Sequence, residues 1–258
     1  MLNTIDHLLG AKLSANDGDI GHVTDAYFDD RSWAVRYLVV DTGHWLGGRE
    51  VLISPYSVNK ALGADKHIHL ALTRKQVQHS PNVDTHQPVS RQQERELLRY
   101  YAYPEYWVGD AMWGMGEAPM TAPQSPTEGN RSGPHDRADA GAAHLRSSAH
   151  VTGYDIEATD GSIGHVQDFV FDDHSWAIRY LIVDTRNWWP GGRKVLIAVD
   201  WADQIDWATR SVAVRLSREQ VRASPPFEDV SSIHREYESR LHQSYQRSGY
   251  WEKEGRKG

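Results

Sequence analysis

The residues of this chain that can do chemistry recur in pairs. His22 and Asp25 are matched by His165 and Asp168, at i, i+3 in both places. Such a pair can join a metal site, but on a strand the two side chains point to opposite faces, and a surface histidine beside a turn is the plainer expectation. Asp29-Asp30 and Asp172-Asp173 are paired acids. A calcium loop of the EF-hand type needs oxygen ligands at alternating positions, a glycine and a distal glutamate. Neither acid pair has that context, so both are expected to shape turns through their own backbone. Arg36 and Arg179 stand within otherwise apolar strands and must find a partner or reach the surface. Their repeated companions are Asp41 and Asp184, which suggests a structural ion pair or, more sharply, an anchor for an acidic partner.

The most suggestive loops are Gly43 to Arg49, with Trp45 and Arg49, and Arg186 to Arg193, with Trp188, Trp189 and Arg193. Trp and Arg are the types most enriched at binding hot spots. The competing expectation is that the tryptophans close one end of a small sheet domain. There is no cysteine, so disulfides, thiolate nucleophiles and thiolate metal sites are excluded. No Gly-rich phosphate loop and no Gly-x-Ser-x-Gly elbow occurs. No catalytic residue, metal ligand or cofactor is therefore assigned, and the chain is not expected to be an enzyme.

These residues recur because the chain is duplicated. Between the segments that start at Asp17 and Asp160, 19 of 26 positions are identical, at an offset of 143. After a one-residue insertion near Pro190 the match continues at an offset of 144, through Leu72 to Val77 against Leu216 to Val221, and as far as Tyr106-Trp107 against Tyr250-Trp251. Identity is uneven: 59–71 and 203–215 share one position in 13. Constraint thus falls on the first two-thirds of each unit, mostly on turn and core types. Residues 109–147 are rich in Pro, Gly, Ser and Ala and read as a flexible linker between domains 1–108 and 148–258.

Within one unit, Asp17-Gly18 and Asp160-Gly161 are hairpin signals. Trp33 to Thr42 reads as a strand apolar on both faces, and Ile68, Leu70 and Leu72 alternate inward. Thr73-x-x-Gln76 and Ser217-x-x-Gln220 have the form of capping boxes and start a short helix. Ser90 to Tyr103 and Ser231 to Gln246 read as helical extensions. Such a sheet must hide its edges, which favours closure into a small barrel. The expected class is mainly β, with two small barrels, each followed by a short helix and a helical C-terminal extension.

The chain has 258 residues, 39% hydrophobic, with a net charge of −7. No basic patch of the kind nucleic-acid binders show stands out, no apolar run is long enough to span a membrane, and the first residues do not read as a secretory signal. A cytoplasmic location is expected.

The run from Gly18 to Pro55, with its Ile-Gly-x-Val-x-Asp-x-x-Phe-Asp core, Tyr37 to Asp41 and Val51 to Pro55, resembles the PRC-barrel family, and 161–199 repeats it with Ala198-Val199 in place of Ser-Pro. The resemblance covers roughly 5–82 and 148–226. It implies a small β-barrel used for protein–protein contact, as in the H subunit of photosynthetic reaction centres and in the C-terminal half of a ribosome-maturation factor. This chain lacks the membrane helix of the first and the N-terminal domain of the second. The resemblance brings no catalytic residues with it. The expected partner is a protein, or the chain itself, including the two barrels packed on each other. Metal- or ligand-binding sensor and ribosome-associated adaptor are the alternatives.

Overall fold

The computed structural model describes residues 1–60, 63, 65–85, 87–120 and 144–254. The chain opens with a strand, β1 (Leu2–Thr4), and one helical turn, α1 (Ile5–Leu8). Six strands follow: β2 (Lys12–Ala15), β3 (Gly18–Asp29), β4 (Ala34–Asp41), β5 (Glu50–Ile53), β6 (Val58–Lys60) and β7 (His67–Leu70). Helices α2 (Arg74–Gln78) and α3 (Arg91–Tyr100) close this series. The second repeat retraces it with β8 (Leu145–Ser147), α4 (Ser148–Val151), β9 (Asp155–Ala158), β10 (Gly161–Asp172), β11 (Ile178–Asp184), β12 (Lys194–Ala198), β13 (Ala202–Asp206) and β14 (Ser211–Val214). Helices α5 (Arg218–Ala223), α6 (Arg235–Ser244) and α7 (Tyr250–Glu254) end it. No helix among the described residues is long and apolar enough to cross a membrane.

The strands form two seven-stranded sheets. The first runs β5-β4-β3-β2-β7-β6 with β8 beside β3; the second runs β12-β11-β10-β9-β14-β13 with β1 beside β10. Both are mixed, because β7 lies parallel to β2 and β14 parallel to β9. Each long strand shifts register twice at equivalent places, between Val23 and Asp25 and between Tyr27 and Phe28, or between Val166 and Asp168 and between Val170 and Phe171. These bulges bend the strand, so one strand serves β2 or β9 at one end and β4 or β11 along the other. Gly21 and Gly164 sit where β3 and β10 cross the last residue of β4 and β11. A Cβ there would overlap the carbonyls of Asp41 and Asp184, and φ is +157 and +151.

The mainly β, two-sheet expectation is met while closure of the sheets is not seen, and one strand boundary is corrected. Each sheet path keeps two ends, and among the described residues no pairing joins β5 to β6 or β12 to β13. A 3₁₀ turn (Pro55–Ser57 or Val199–Trp201) intervenes and uses local partners, such as Ser57 N–H donating to the Ser54 carbonyl at 2.9 Å. The strand expected from Trp33 starts instead at Ala34. Trp33 and its counterpart Trp176 take positive φ (54 and 57) and end the preceding turn, each amide donating to the carbonyl of Asp29 or Asp172.

The chain also divides differently from the expected 1–108, 109–147 and 148–258. By contacts, one unit holds Met1, His7–Ala149 and Asp172–Ala177; the other holds Leu2–Asp6, His150–Phe171 and Ile178–Gly258. The strand that opens each repeat thus completes the sheet of the other repeat. The linker expectation overreaches at both ends. Leu145–Ser147 is β8. Trp113 is 3% exposed, edge-on to Tyr56 at 4.9 Å, and its indole donates to the Ser175 carbonyl at 2.7 Å. Composition hid this, since a single tryptophan anchors a glycine-rich segment that has no periodicity. The remainder of that linker, 121–143, lies outside the described residues.

In the first unit β4 is buried from Ala34 to Val40. Its double burial has a simple cause. Tyr37 and Val39 pack with Tyr27, Leu52, Val83, Val89, Leu97 and Leu145, so the helical extension covers one face of the sheet while the other faces the interior. The capping boxes form as the spacing predicts: the Thr73 amide donates to the Gln76 side chain at 2.8 Å, and that of Ser217 to Gln220 at 2.8 Å. A third box, Ser90 with Gln93, starts α3.

Candidate functional site

Each helical extension is held to its sheet by a buried knot of arginine, glutamate and aromatic rings. In the first unit the box at Ser90 sets Arg91, Glu94, Leu97 and Leu98 along one side of α3, and Glu94, Leu97 and Leu98 are buried. Arg91 donates to Glu94 Oε1 at 3.1 Å and to the Tyr106 hydroxyl at 2.9 Å, and that hydroxyl donates to Glu94 Oε2. Arg91 also lies 4.2 Å from the Trp107 ring centre. From β4, the 2% exposed Arg36 stacks 3.8 Å from the centre of Tyr106 and 4.7 Å from that of Trp113. It donates to Ser32 Oγ at 2.9 Å, while Nε and Nη1 have no hydrogen-bond partner. Burial pushes the Glu94 carboxyl up to about 7, against the pull of Arg91 and the Tyr106 hydroxyl. Burial also raises the phenols of Tyr37 and Tyr106 well above the ordinary range.

The second unit builds the same knot with different wiring. Arg235 meets Glu238 at 3.1 Å and lies 4.2 Å from the Trp251 ring centre. Glu238 Oε1 accepts from Tyr180 at 2.8 Å and from Tyr250 at 3.0 Å. Arg179 lies 4.1 Å from the Tyr250 ring centre. His242, whose imidazole is held below its usual range by burial, sits 3.1 Å from the Tyr180 hydroxyl and 5.0 Å from both Trp201 and Trp251. Glu94 and Glu238 are 2% and 3% exposed. Their hydrogen bonds run mostly within each cluster, so these clusters fasten the helical extension to the sheet.

The expected ion pairs of Arg36 and Arg179 with Asp41 and Asp184 do not form. The arginines turn to aromatic faces, where a desolvated cation is attracted by the ring quadrupole. Asp41 accepts instead from the Gly43 amide at 2.8 Å. Asp184 accepts from Arg186, whose bond holds its carboxyl down to about 2.

The two tryptophan loops differ. In the first, the 3₁₀ turn Gly43–Leu46 tucks in Trp45, whose indole donates to the Ile20 carbonyl and whose ring lies 4.4 Å from the Arg74 guanidinium. Arg49 donates to the carbonyls of Gln78, Ser80 and Pro81 at 3.3, 2.8 and 2.9 Å. Arg193 does likewise for Arg222, at 3.0 Å, and Ser224. Both arginines therefore satisfy the chain leaving α2 and α5, a task the hot-spot expectation did not foresee. In the second loop Trp188 and Trp189 are half-buried, and among the described residues neither indole nitrogen has an acceptor. Trp189, Pro190, Gly191, Arg193, Val195, Val221 and Arg222 line a shallow cleft of about 240 Å³, with Arg222 5.2 Å from the Trp189 ring centre.

The remaining paired residues are occupied locally. Asp29 accepts from the amides of Arg31 and Ser32 at 2.9 and 3.1 Å, and Asp172 from that of His174 at 3.2 Å. His22 lies 3.9 Å from Asp41. Among the described residues no group of three His, Asp or Glu side chains is placed to hold a metal. Asp25 and Asp168 hold the exchanged strands. Ser148 Oγ and the Ala149 amide donate to Asp25 at 2.7 and 3.2 Å, and the Asp6 amide to Asp168 at 3.1 Å. Burial raises the Asp168 carboxyl to about 6.

The knot's Arg91, Glu94 and Trp107, with Arg235, Glu238 and Trp251, were not singled out from sequence. The signal was there: Arg-x-x-Glu-x-x-Leu recurs at the offset of 144 already carried by Tyr106-Trp107 and Tyr250-Trp251.

A family model for the PRC-barrel domain matches residues 8–73. That stretch runs from the last residue of α1 to the cap of α2 and includes the whole β2 to β7 series. No curated protein matches the chain.

Proposed function

We propose that the chain is a non-catalytic tandem module of two PRC-type barrel domains, and that it binds a protein partner through the Arg186 to Arg193 loop of the second unit. The observation that carries this reading is the contrast between the loops. Trp45 is tied down by its indole hydrogen bond, whereas Trp188 and Trp189 keep their indole donors free among the described residues beside a cleft. Tryptophan and arginine are among the residue types most enriched where binding energy concentrates. Arg222 over Trp189 fits a partner segment that carries an acidic side chain. The matched PRC-barrel domain supports the assembly role.

The test is a photo-crosslinking amino acid introduced at position 187 of the full chain in its native cell. One defined protein adduct is expected, lost in the Trp189→Ala variant and kept in Trp45→Phe. Failure to form an adduct, or equal adducts from both variants, overturns the reading.

A further inference from the structure

The exchange of opening strands has a consequence for association. Within the first unit, β8 pairs antiparallel with the outer half of β3, with Ser147 opposite Tyr27, Arg146 opposite Phe28 and Leu145 opposite Asp29. Arg146 Nε donates to Asp30 at 2.8 Å, and the Asp30 amide donates to the His144 carbonyl at 3.0 Å. The hydroxyls of Ser147 and Ser148 and the Ala149 amide converge on the Asp25 carboxylate. The second unit repeats the slot: β1 lies on β10, and the Thr4 hydroxyl and the Asp6 amide reach Asp168. Leu2, Thr4 and Asp6 stand at the repeat positions of Leu145, Ser147 and Ala149. The chain leaves one unit for the other between Asp6 and His7, and again between Ala149 and His150. The slot therefore recognises five or so residues by strand pairing and one carboxylate. It accepts Leu-Asn-Thr in one unit and Leu-Arg-Ser in the other, and it takes them from a donor that belongs to a different repeat.

We propose that this slot along β3 and β10 is a strand-acceptor site that a second copy of the chain can fill, so that the protein forms strand-exchanged dimers. In the described fold each slot is filled by the strand that opens the other repeat. A donor from another copy makes the same backbone pairs and reaches the same carboxylate, so no new contact is required. Exchange of an identical element is a low-cost route to a dimer. What separates the two forms is the effective concentration of the tethered donor, so the exchanged dimer is favoured as protein concentration rises.

The chain has no cysteine, so single cysteines report without background. Two differently tagged full-length chains, one Asp30→Cys and one Arg146→Cys, are mixed, refolded together at high concentration and treated with a short bis-maleimide. A covalent heterodimer carrying both tags, in the dimeric fraction on size exclusion, is expected. The double variant Asp30→Cys/Arg146→Cys, treated while dilute, is expected to cross-link within the monomer. A double variant that links internally while the mixture gives no heterodimer overturns the proposal. So does a double variant that never links, because β8 then does not occupy the slot.

Discussion

The two helical extensions fasten with the same residues and different bonds. In the first unit one glutamate is shared by Arg91 and Tyr106 on the extension, and the strand contributes Arg36 as a stacked cation. In the second, the strand contributes the same stacked cation, Arg179 over Tyr250, and a hydroxyl besides: Tyr180 donates directly to Glu238, which also takes Tyr250 and Arg235. Tyr37, the counterpart of Tyr180, has a buried hydroxyl with no hydrogen-bond partner. The sequence differences are small. Leu98 becomes His242 and Ser57 becomes Trp201, and these two rings then pack together at 5.0 Å. A duplicated scaffold can therefore keep its charged pair and its ring contacts while changing the bond that reaches the strand. The glutamate of the second unit bonds the strand directly, while that of the first pairs with the more buried cation.

That difference predicts the largest effect. Glu94→Ala strands Arg91, whose side chain is 12% exposed, with the Tyr106 hydroxyl, and removing one partner of a buried charged pair costs roughly 3–5 kcal/mol. Glu238→Ala frees an Arg235 that is 56% exposed and leaves the Tyr180 and Tyr250 hydroxyls without their shared acceptor, so a smaller loss of roughly 1–3 kcal/mol is expected. Chemical denaturation of both variants, followed by circular dichroism, checks the order; an equal or reversed pair of losses breaks the comparison. Next come the aliphatic anchors. Leu97 and Leu241 are 2% and 0% exposed at equivalent positions. Their truncation to Ala is expected to cost roughly 2–5 kcal/mol in each unit, which sharpens the contrast: apolar contributions match while polar ones diverge.

Much of this architecture was legible in the sequence. The duplication, the hairpin turns, the doubly buried β4 and the capping boxes all rest on local spacing, and local spacing determines them. What escaped was everything that depends on who lies next to whom. Arg36 read as the partner of Asp41 because both recur, yet the cation found Tyr106 and Trp113, far along the chain. Arg49 and Arg193 looked like exposed hot spots because nothing local shows that α2 and α5 end within their reach. The exchange of β1 and β8 leaves no trace in one repeat considered alone, since neither Leu-Asn-Thr nor Leu-Arg-Ser says which unit receives it. Trp113 was hidden by its glycine-rich neighbours.

The third prediction concerns pH. The Glu94 carboxyl has an ordinary value of 4.5 and sits at about 7 in the fold, raised by burial and by nearby Asp29 while Arg91, Arg36 and the Tyr106 hydroxyl oppose the shift. The folded state thus holds this proton more tightly than the unfolded chain. The associated stability is fully present below pH 4.5 and is lost as pH rises through 7. A loss on the order of 3 kcal/mol over that window follows from the size of the shift. Glu94→Gln, which keeps the shape and cannot ionise, is expected to flatten this part of the stability profile. An unchanged slope in the variant would show that other groups produce it.

The smallest effect is expected at Arg36, and it tests whether the first unit's cation is needed at all. Arg36→Met keeps an unbranched apolar stem beside Tyr106 and Trp113. It gives up two ring contacts and one hydrogen bond to Ser32, and it removes a buried charge with two unpartnered nitrogens. Cation–π contacts contribute about 0.5–2 kcal/mol when desolvated, and desolvating an incompletely bonded ion costs a comparable or larger amount. The terms oppose each other, so stability within about 1 kcal/mol of the parent is expected by denaturation, in either direction. A loss near that of Glu238→Ala would mean that the stacked cation fastens the first extension as firmly as the Tyr180 hydroxyl bond fastens the second. The two wirings would then be equivalent solutions, and the inequality between the glutamates would need another cause.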